Sequence, residues 1–191
     1  MARPRQFDEE IALTNALDVF RQQGYQGASM SDLTKAMKLS KSSLYETFGS
    51  KHDLFIKALK RFHKANAIYN FVDVDSNVDA SAKVKRIYEL SVASVGSGHG
   101  GCIYARCSLE FSNKDELVFK QVAKGVGRLE TMFYSIIETG KLNGDVSSTA
   151  DSTVLSKTFV ATFYGLQVMA NAGADVSHIN SVILHSIGDL K

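Results

Sequence analysis

The stretch SMSDLTKAMKLSKSSLYETFGSKHDL, residues 29–54, decides the fold of this chain. Three of its serines, Ser29, Ser40 and Ser50, precede helix-forming segments, where a hydroxyl can accept a hydrogen bond from a free backbone N–H. The first and the third are followed three positions later by an aspartate, which resembles a capping box with a shorter acid. The break before the middle helix spans only residues 38–40. The spacing therefore predicts two short helices joined by a tight turn and followed at once by another helix.

A further amphipathic helix is predicted upstream, from Asp8 to Gln23. Its apolar residues recur at intervals of three and four positions, and Gly24 is a natural left-handed stop. Three helices within residues 8–48, the last two separated by a tight turn, have the spacing of a helix-turn-helix unit.

Composition excludes several classes of protein. The chain has 191 residues, of which 45% are hydrophobic and 22% charged, as in ordinary globular proteins and unlike disordered ones. Two cysteines are too few for a secreted disulfide framework, and no apolar signal or membrane-spanning run is seen, so a cytoplasmic protein is expected. Residues 1–64 hold 11 basic against 7 acidic side chains, whereas the remainder is mildly acidic. A basic head of this kind suits a nucleic-acid partner, although it is also typical of a solvated surface.

The rest of the sequence is predicted to be helical as well. Helical spacing of apolar residues predicts further helices near residues 51–69, 81–95, 102–111, 115–139, 152–171 and 177–190. We therefore predict an all-α fold of about nine helices. A small domain is expected at residues 1–50 and a larger one at residues 51–191, with a helix from residue 51 to about 70 linking them.

The helix predicted after Ser40 has an unusual polar side. Leu44 and Phe48 are its only large inward residues, with Tyr45 beside them. The other positions are small or charged, which lets the backbone approach a nucleic-acid groove and offers donors to phosphates and base edges.

These residues resemble the DNA-binding domain of the TetR family of transcriptional regulators over residues 7–56. The resemblance rests on Ala12, Leu13, Ala16, Leu17, Phe20, Gly24, Tyr25, Ser29, Leu33, the run Leu39–Tyr45, Phe48, Ser50, Lys51 and Leu54. It implies a DNA-binding domain at residues 1–50 and an effector-binding and dimerisation domain at residues 51–191. The implied partners are a double-stranded DNA operator, a small-molecule effector and a second copy of the chain, with no cofactor, no metal and no membrane.

The resemblance also implies which residues contact DNA. Tyr45 would give its hydroxyl to a phosphate, although a core tyrosine is the alternative. Lys51 would hold a phosphate or simply lie at a solvated helix end. The full set of predicted contacts is Arg3, Arg5, Ser29, Ser31, Lys41, Ser42, Ser43, Tyr45, Thr47 and Lys51. Arg3 and Arg5 would reach a minor groove from a flexible arm, or form a disordered tail.

Two positions depart from the family pattern. Lys38 stands where the family commonly has glycine, so it either adopts a left-handed conformation at a cost of about 1 kcal/mol or the turn shifts. Ser42 also replaces a frequent glycine, which bears on base preference.

The last two helices are expected to pair with their twins from a second subunit in a four-helix bundle. The residues assigned to this interface are Leu155, Phe159, Leu166, Ile179, Ile183 and Ile187. The alternative is that the same stripe forms an intramolecular core.

An effector pocket is expected between the middle helices, and plain core is the alternative for each of its residues. The residues assigned to it are Phe62, Tyr88, Tyr104, Phe111, Met132, Phe133 and Phe163. Few charges are present there, which favours a neutral or weakly polar effector.

Cys102 opens a helix, where the helix dipole lowers the pKa of a thiol, and Arg106 lies one turn further on. Its Gly-Cys entry resembles the branch of the family that senses oxidants or electrophiles. The alternative is a small buried residue. Five positions separate Cys102 from Cys107, so a disulfide between them would require unwinding of the helix.

Three functions remain open at this stage. The first is a dimeric repressor released from a palindromic operator by a small effector. The second is a thiol-based repressor acting through Cys102, and the third is a helical ligand-binding module without a DNA function. Activation instead of repression is also open, because the operator position decides it. No nucleophile elbow, phosphate loop or metal motif supports an enzyme.

Overall fold

The computed structural model describes residues 7–65, 78–96, 101–111, 114–188 and 190. Within these ranges the regular structure consists of helices, which agrees with the predicted all-α class. The helices are α1 Glu9–Gly27, α2 Met30–Met37, α3 Lys41–Phe48, α4 Lys51–Ala65, α5 Ala80–Gly96, α6 Ile103–Phe111, α7 Glu116–Asn143, α8 Ser152–Asn171 and α9 Val176–Gly188. The end predicted for the fourth helix, near residue 69, lies outside the described residues. No helix in the described ranges is long and apolar enough to cross a bilayer.

The chain divides into two compact units. The first holds residues 1–65 and 106–122, and the second holds residues 66–105 and 123–191. Helix α4 thus packs with the three N-terminal helices, as do the second half of α6 and the first turns of α7. The predicted boundary between two domains after residue 50 stays a prediction, because the packing of helices does not test where independent domains begin and end.

Aromatic side chains form the centre of the first unit. Phe20 and Phe55 meet edge to face with ring centroids 4.8 Å apart, and Phe55 stacks on Phe111 at 5.6 Å. Tyr25 lies 5.0 Å from both Phe55 and Phe111. Since Phe111 ends α6, this cluster joins α6 to the helices of the N-terminal region by apolar burial, the largest favourable term in folding.

The serines begin their helices as the sequence predicts. Ser29 and Asp32 form a reciprocal capping box at α2, and the Ser40 hydroxyl accepts from Ser43 N–H at 3.1 Å at the start of α3. Asp53 accepts from the backbone and the hydroxyl of Ser50 at 2.9 and 2.7 Å. Hydrogen bonds from the serine hydroxyls lower the pKa of both aspartates below its usual value.

The backbone conformation of Lys38 decides between the two alternatives for the turn before α3, a left-handed Lys38 or a shifted turn. Its φ is 54° and its ψ is 40°, so it adopts the left-handed conformation and the turn is not shifted. The N–H of Leu39 donates to Thr34 O at 3.0 Å, which satisfies a carbonyl at the end of α2. The turn therefore has its left-handed residue without using glycine.

A break interrupts α1 at Gly24, where φ is 79° and ψ is 171°. Glu110 of α6 accepts from the N–H groups of Tyr25 and Gln26 at 2.8 and 3.2 Å. Arg106 donates to the carbonyls of Arg21 and Gln22 at 2.8 and 3.1 Å, and to Glu110 at 3.1 Å. A Cβ at Gly24 would lie 2.1 Å from Glu110 Oε1. One Arg–Glu pair thus satisfies both sides of the break, and only glycine leaves room for it.

Lys38→Gly is expected to stabilise the protein by about 0.5 to 1 kcal/mol, because glycine adopts the left-handed conformation without the steric cost of a Cβ. Urea unfolding should show a higher midpoint with an unchanged m-value. The matched control, Lys35→Gly inside α2, should destabilise the protein by about 1 kcal/mol. A lower midpoint for Lys38→Gly would show that the left-handed residue carries no strain.

Candidate nucleic-acid interface

Helix α3 presents a polar surface because its two large apolar residues face inward. Leu44 and Phe48 are completely buried, whereas Lys41, Ser42 and Glu46 are exposed. Thr47 and Ser43 are half-buried at the edge of the polar side. The predicted polar side of this helix is therefore free within the first unit.

The three serines at the start of α3 form one hydroxyl network. Ser40 Oγ lies 3.0 Å from Ser42 Oγ and 2.9 Å from Ser43 Oγ, besides accepting from Ser43 N–H. Each hydroxyl has one donor and two acceptor sites, so Ser42 and Ser43 keep the capacity to bond a base edge. The network fixes where those hydroxyls point.

Tyr45 is 44% exposed, which places it at the surface and argues against the alternative of a core tyrosine. Lys51, at the start of α4, lies with its ammonium 4.6 Å from the centroid of the Tyr25 ring. The negative face of that ring attracts the ammonium and offsets the unfavourable field at a helix N-terminus. Lys51 is thus half-buried and oriented, unlike the solvated helix end considered for it.

The other predicted contacts divide into two groups. Ser29 and Ser31 are exposed at the start of α2, but the Ser29 hydroxyl donates to Asp32 at 2.6 Å. Arg3 and Arg5 lie outside the described residues. The locations of these side chains do not test whether they contact DNA, so all ten assigned DNA contacts stay predictions.

A histidine–aspartate pair lies beside Lys51. His52 Nε2 donates to Asp115 Oδ2 at 2.6 Å, and Asp115 also accepts from Leu117 and Val118 N–H at the start of α7. Burial acts to raise the pKa of Asp115, but the hydrogen bonds from Val118 and His52 bring it below its ordinary value. The pair ties the start of α7 to the start of α4.

The residues assigned to an effector pocket lie in tightly packed surroundings. In the second unit Tyr88 and Phe133 are fully buried with ring centroids 5.9 Å apart, and Tyr88 donates to Phe159 O at 3.3 Å. Burial raises the pKa of Tyr88. Tyr104, Met132 and Phe163 are buried in the same unit, and Phe62 is buried in the first. Phe111 lines a cavity of about 70 Å³ beside Cys107.

A larger cavity lies in the second unit, between α5, the end of α8 and the start of α9. Its volume is about 330 Å³. Its lining is apolar apart from one carboxylate and one amide: Val92, Ala93, Val95, Ala170, Ala174, Val176, Ile179, Ile183, Glu89 and Asn180. None of the residues assigned to the pocket lines it. The sequence did not predict this cavity because it lies where the ends of helices meet. The spacing of hydrophobic residues along the chain carries no information about the distance between those ends.

Four of the residues assigned to the dimer interface are buried inside the second unit. Phe159, Leu166, Ile179 and Ile183 are at most 5% exposed, and Leu155 and Ile187 pack against the same core. For these four the structure favours the alternative, an intramolecular core. Other residues of the two helices are exposed and form one stripe on each: Val154, Thr158, Ala161, Gly165 and Val168 on α8 and Ser177, Ser181, Leu184 and Gly188 on α9. Their steps alternate between four and three, the repeat that keeps one face toward a partner helix. This repeat was readable from the sequence.

Neither cysteine forms a disulfide in the structure. Cys102 is half-buried just before α6, and Cys107 is buried within it. Arg106 donates to α1 and to Glu110, and its expected effect on Cys102 stays a prediction. No group of three potential metal ligands occurs in the described ranges.

Comparison with known proteins agrees with this geometry. Residues 12–58 match the bacterial regulatory proteins of the tetR family, and residues 81–185 match the tetracyclin repressor-like C-terminal domain. The HTH-type transcriptional regulator YezE of Bacillus subtilis is 27% identical over 173 residues, which cover 84% of this chain and 89% of YezE. The HTH-type transcriptional repressor BdcR of Escherichia coli is 36% identical over 66 residues, 35% of this chain and 34% of BdcR.

Solved structures extend the likeness to the whole chain. A cysteine mutant of the TetR family regulator CifR, complexed with 26-bp double-strand operator DNA, has a TM-score of 0.84 and 28% identity, with 99% of this chain and 100% of that chain covered. The reduced form of Escherichia coli NemR, at 19% identity and a TM-score of 0.83, covers 95% of this chain and 96% of its own, and shows the same fold. With both halves matched in order and the recognition helix exposed, the chain belongs to the TetR family and is a DNA-binding transcriptional regulator.

Proposed function

We propose that the protein represses transcription by binding a palindromic operator as a homodimer, and that a small effector releases it. The observation that carries this proposal is α3, a short helix whose polar side is exposed while its serine hydroxyls and the neighbouring Lys51 ammonium are held in place. CifR, the relative with 28% identity, was solved on operator DNA, which supports the same partner here. Such a regulator acts where the chromosome is, in the bacterial cytoplasm.

The exposure of the α3 side chains supports the DNA contacts that we propose. Lys41, Ser42 and Ser43 at the exposed start of α3 would meet base edges in the major groove. Tyr45 and Thr47 on α3 and Lys51 at the start of α4 would hold phosphates. Ser29, Ser31 and the basic arm with Arg3 and Arg5 complete the proposed surface. Base contacts give specificity, whereas phosphate contacts fix the register on the duplex.

Dimerisation uses the outward faces of α8 and α9. Val154, Val168 and Leu184 are 58%, 53% and 57% exposed, and the positions between them are small. A Cβ placed at Gly165 would meet nothing within 4 Å, so this face has room for an approaching helix. Exposed apolar faces of this kind mark association sites. A dimer would set two α3 helices at the spacing of two half-sites.

The effector proposal rests on the 330 Å³ cavity between α5, α8 and α9. That volume falls within the range of sites for small molecules, and one carboxylate and one amide can orient a ligand in an apolar lining. We therefore propose a small, mostly apolar effector carrying a hydrogen-bond donor for Glu89 or Asn180. Because α8 and α9 also carry the proposed dimer face, an occupied cavity would favour a different pairing of subunits.

A second function, thiol sensing through Cys102, is favoured by one feature of α6. Cys102 is half-buried immediately before this helix, and the same helix carries Arg106 and Glu110, which hold the break in α1. An oxidised or alkylated Cys102 would disturb the start of a helix whose end braces the DNA-binding region. CifR was studied as cysteine mutants and NemR in a reduced form, which motivates the same test here.

The decisive experiment is selection of genomic fragments by the purified protein. Recovery of fragments that share a palindrome is expected, and their release by neutral apolar compounds would support the effector. The selection is repeated after mild peroxide and again with reductant. Release by peroxide that is absent in Cys102→Ser would favour thiol sensing. No enriched fragment at any salt concentration would contradict the proposal and leave a ligand-binding module.

Lys51→Ala is expected to weaken binding of all DNA sequences about uniformly and to reduce the slope of log K against log salt by about one, because one phosphate contact is lost. Tyr45→Phe should weaken all sequences by about 1 kcal/mol, the contribution of one hydrogen bond. Fluorescence anisotropy over a salt series measures both. Lys157→Ala, an exposed lysine of α8, is the control and should change neither quantity. An unchanged slope for Lys51→Ala would remove its phosphate role.

Ala161→Glu is expected to convert the dimer to a monomer, because a carboxylate at the middle of the outward face of α8 would be buried without a partner. Sedimentation or light scattering gives the mass, and circular dichroism should show unchanged helicity, since Ala161 is exposed in the single chain. Ala123→Glu, an exposed alanine of α7, should remain dimeric. A dimeric Ala161→Glu variant would place the interface elsewhere.

Ala174→Phe is expected to occupy part of the 330 Å³ cavity and so to weaken binding of N-phenyl-1-naphthylamine, a neutral apolar dye with one N–H donor, by about tenfold or more. Dye fluorescence in a titration measures the affinity. Ala172→Phe, two residues earlier and exposed, is the matched control and should bind like the wild type. Equal binding by both variants would show that the dye enters another site.

A further inference from the structure

The C-terminal end of α3 is held by a residue of another helix. Lys57 of α4 donates from its ammonium to the carbonyls of Thr47 and Phe48, both at 3.2 Å. The same ammonium lies 5.6 Å from the centroid of the Phe48 ring. The last turn of α3 contains no basic residue of its own. Lys57 therefore supplies the cation that the negative end of this helix attracts.

The corner between α3 and α4 gives this contact its importance. Gly49 takes a φ of 82° and donates to Tyr45 O at 3.0 Å, and the next residue already begins the cap of α4. Only Gly49, with its positive φ, and Ser50 thus separate the two helices. Without the bridge from Lys57, the end of α3 would be joined to α4 by this corner and by the packing of Phe48.

We infer that Lys57 is a positioning residue for DNA recognition, which fixes the angle of α3 on α4 without touching DNA. The inference rests on the proposed function, because it assigns α3 to the operator. A tilt of α4 would be passed to α3 through the two carbonyls. The base-reading end of α3 lies opposite the bridged end, so a small rotation at Phe48 displaces Lys41, Ser42 and Ser43 the most.

Three variants separate this role from a plain phosphate contact. Lys57→Met keeps the aliphatic stem on Phe48 and removes the ammonium, whereas Lys57→Arg retains donors for both carbonyls. Lys60→Met removes one positive charge from the next turn of α4 and is the matched control. Affinities for a recovered operator fragment and for random duplex of equal length are measured over a salt series. Hydrogen exchange of the α3 amides is measured without DNA.

Lys57→Met is expected to bind the operator about five- to tenfold more weakly than Lys60→Met, because a charge-assisted bridge is lost. Its affinity for random duplex should stay within about twofold of the control, and its salt slope should be the same. The α3 amides should exchange faster, and Lys57→Arg should restore operator affinity and slow exchange.

Two results would overturn the inference. Lys57 would be a phosphate contact if Lys57→Met lowered the slope of log K against log salt by about one and weakened binding of operator and random duplex equally. Unchanged exchange of the α3 amides would show that the bridge does not hold the helix. If the wild type itself bound no operator, the proposed function would fail, while the exchange measurement would still decide whether Lys57 holds α3.

Discussion

An eight-residue helix does not persist alone in water, because nucleation is costly and few backbone hydrogen bonds follow it. Helix α3 is such a helix, and the function of the protein depends on it. Burial of Leu44 and Phe48 supplies its stability, the Ser40 hydroxyl accepts from the N–H of Ser43 in its first turn, and Lys57 donates to two of its last carbonyls. These contacts leave the intervening side chains free of structural duties, so they can be small and polar. The short helix α3 therefore depends on contacts at both of its ends and on burial of its apolar side, and these come from the residues before it and from α4.

The break in α1 shows the same requirement at a second place. Gly24 exposes backbone groups on either side of a sharp change of direction, and α6 supplies both a donor and an acceptor to them. The Arg106–Glu110 pair therefore serves as a cap for two helical segments at once. The same nine-residue helix begins directly after Cys102 and carries Arg106 and Glu110, so the proposed thiol and the cap of α1 belong to one helix.

Local features were predictable from the sequence, and long-range contacts were not. The serine caps, the stop at Gly24 and the exposed side of α3 follow from hydrogen-bonding groups and spacing within a few residues. The predicted dimer interface chose the large apolar residues of α8 and α9, and burial in the single chain assigns four of them to the core. The size of a side chain alone cannot show whether it faces the core or a partner subunit. The exposed residues on the opposite side of α8 and α9 recur at alternating intervals of four and three positions, and this spacing indicates a face for a partner helix. Lys57, Glu110 and the His52–Asp115 pair carried no sequence signal, because their partners lie nine to 85 positions away.

The outward faces of α8 and α9 have a consequence for the choice of partner. In the proposed dimer, the alanine, glycine and serine residues of these stripes would let the facing helices approach closely. A related regulator with bulkier residues at the same positions would be held at a greater distance and would lose the contacts of Val154, Val168 and Leu184. Steric exclusion would then keep each regulator in a cell paired with its own kind, and each operator would be read by two identical recognition helices.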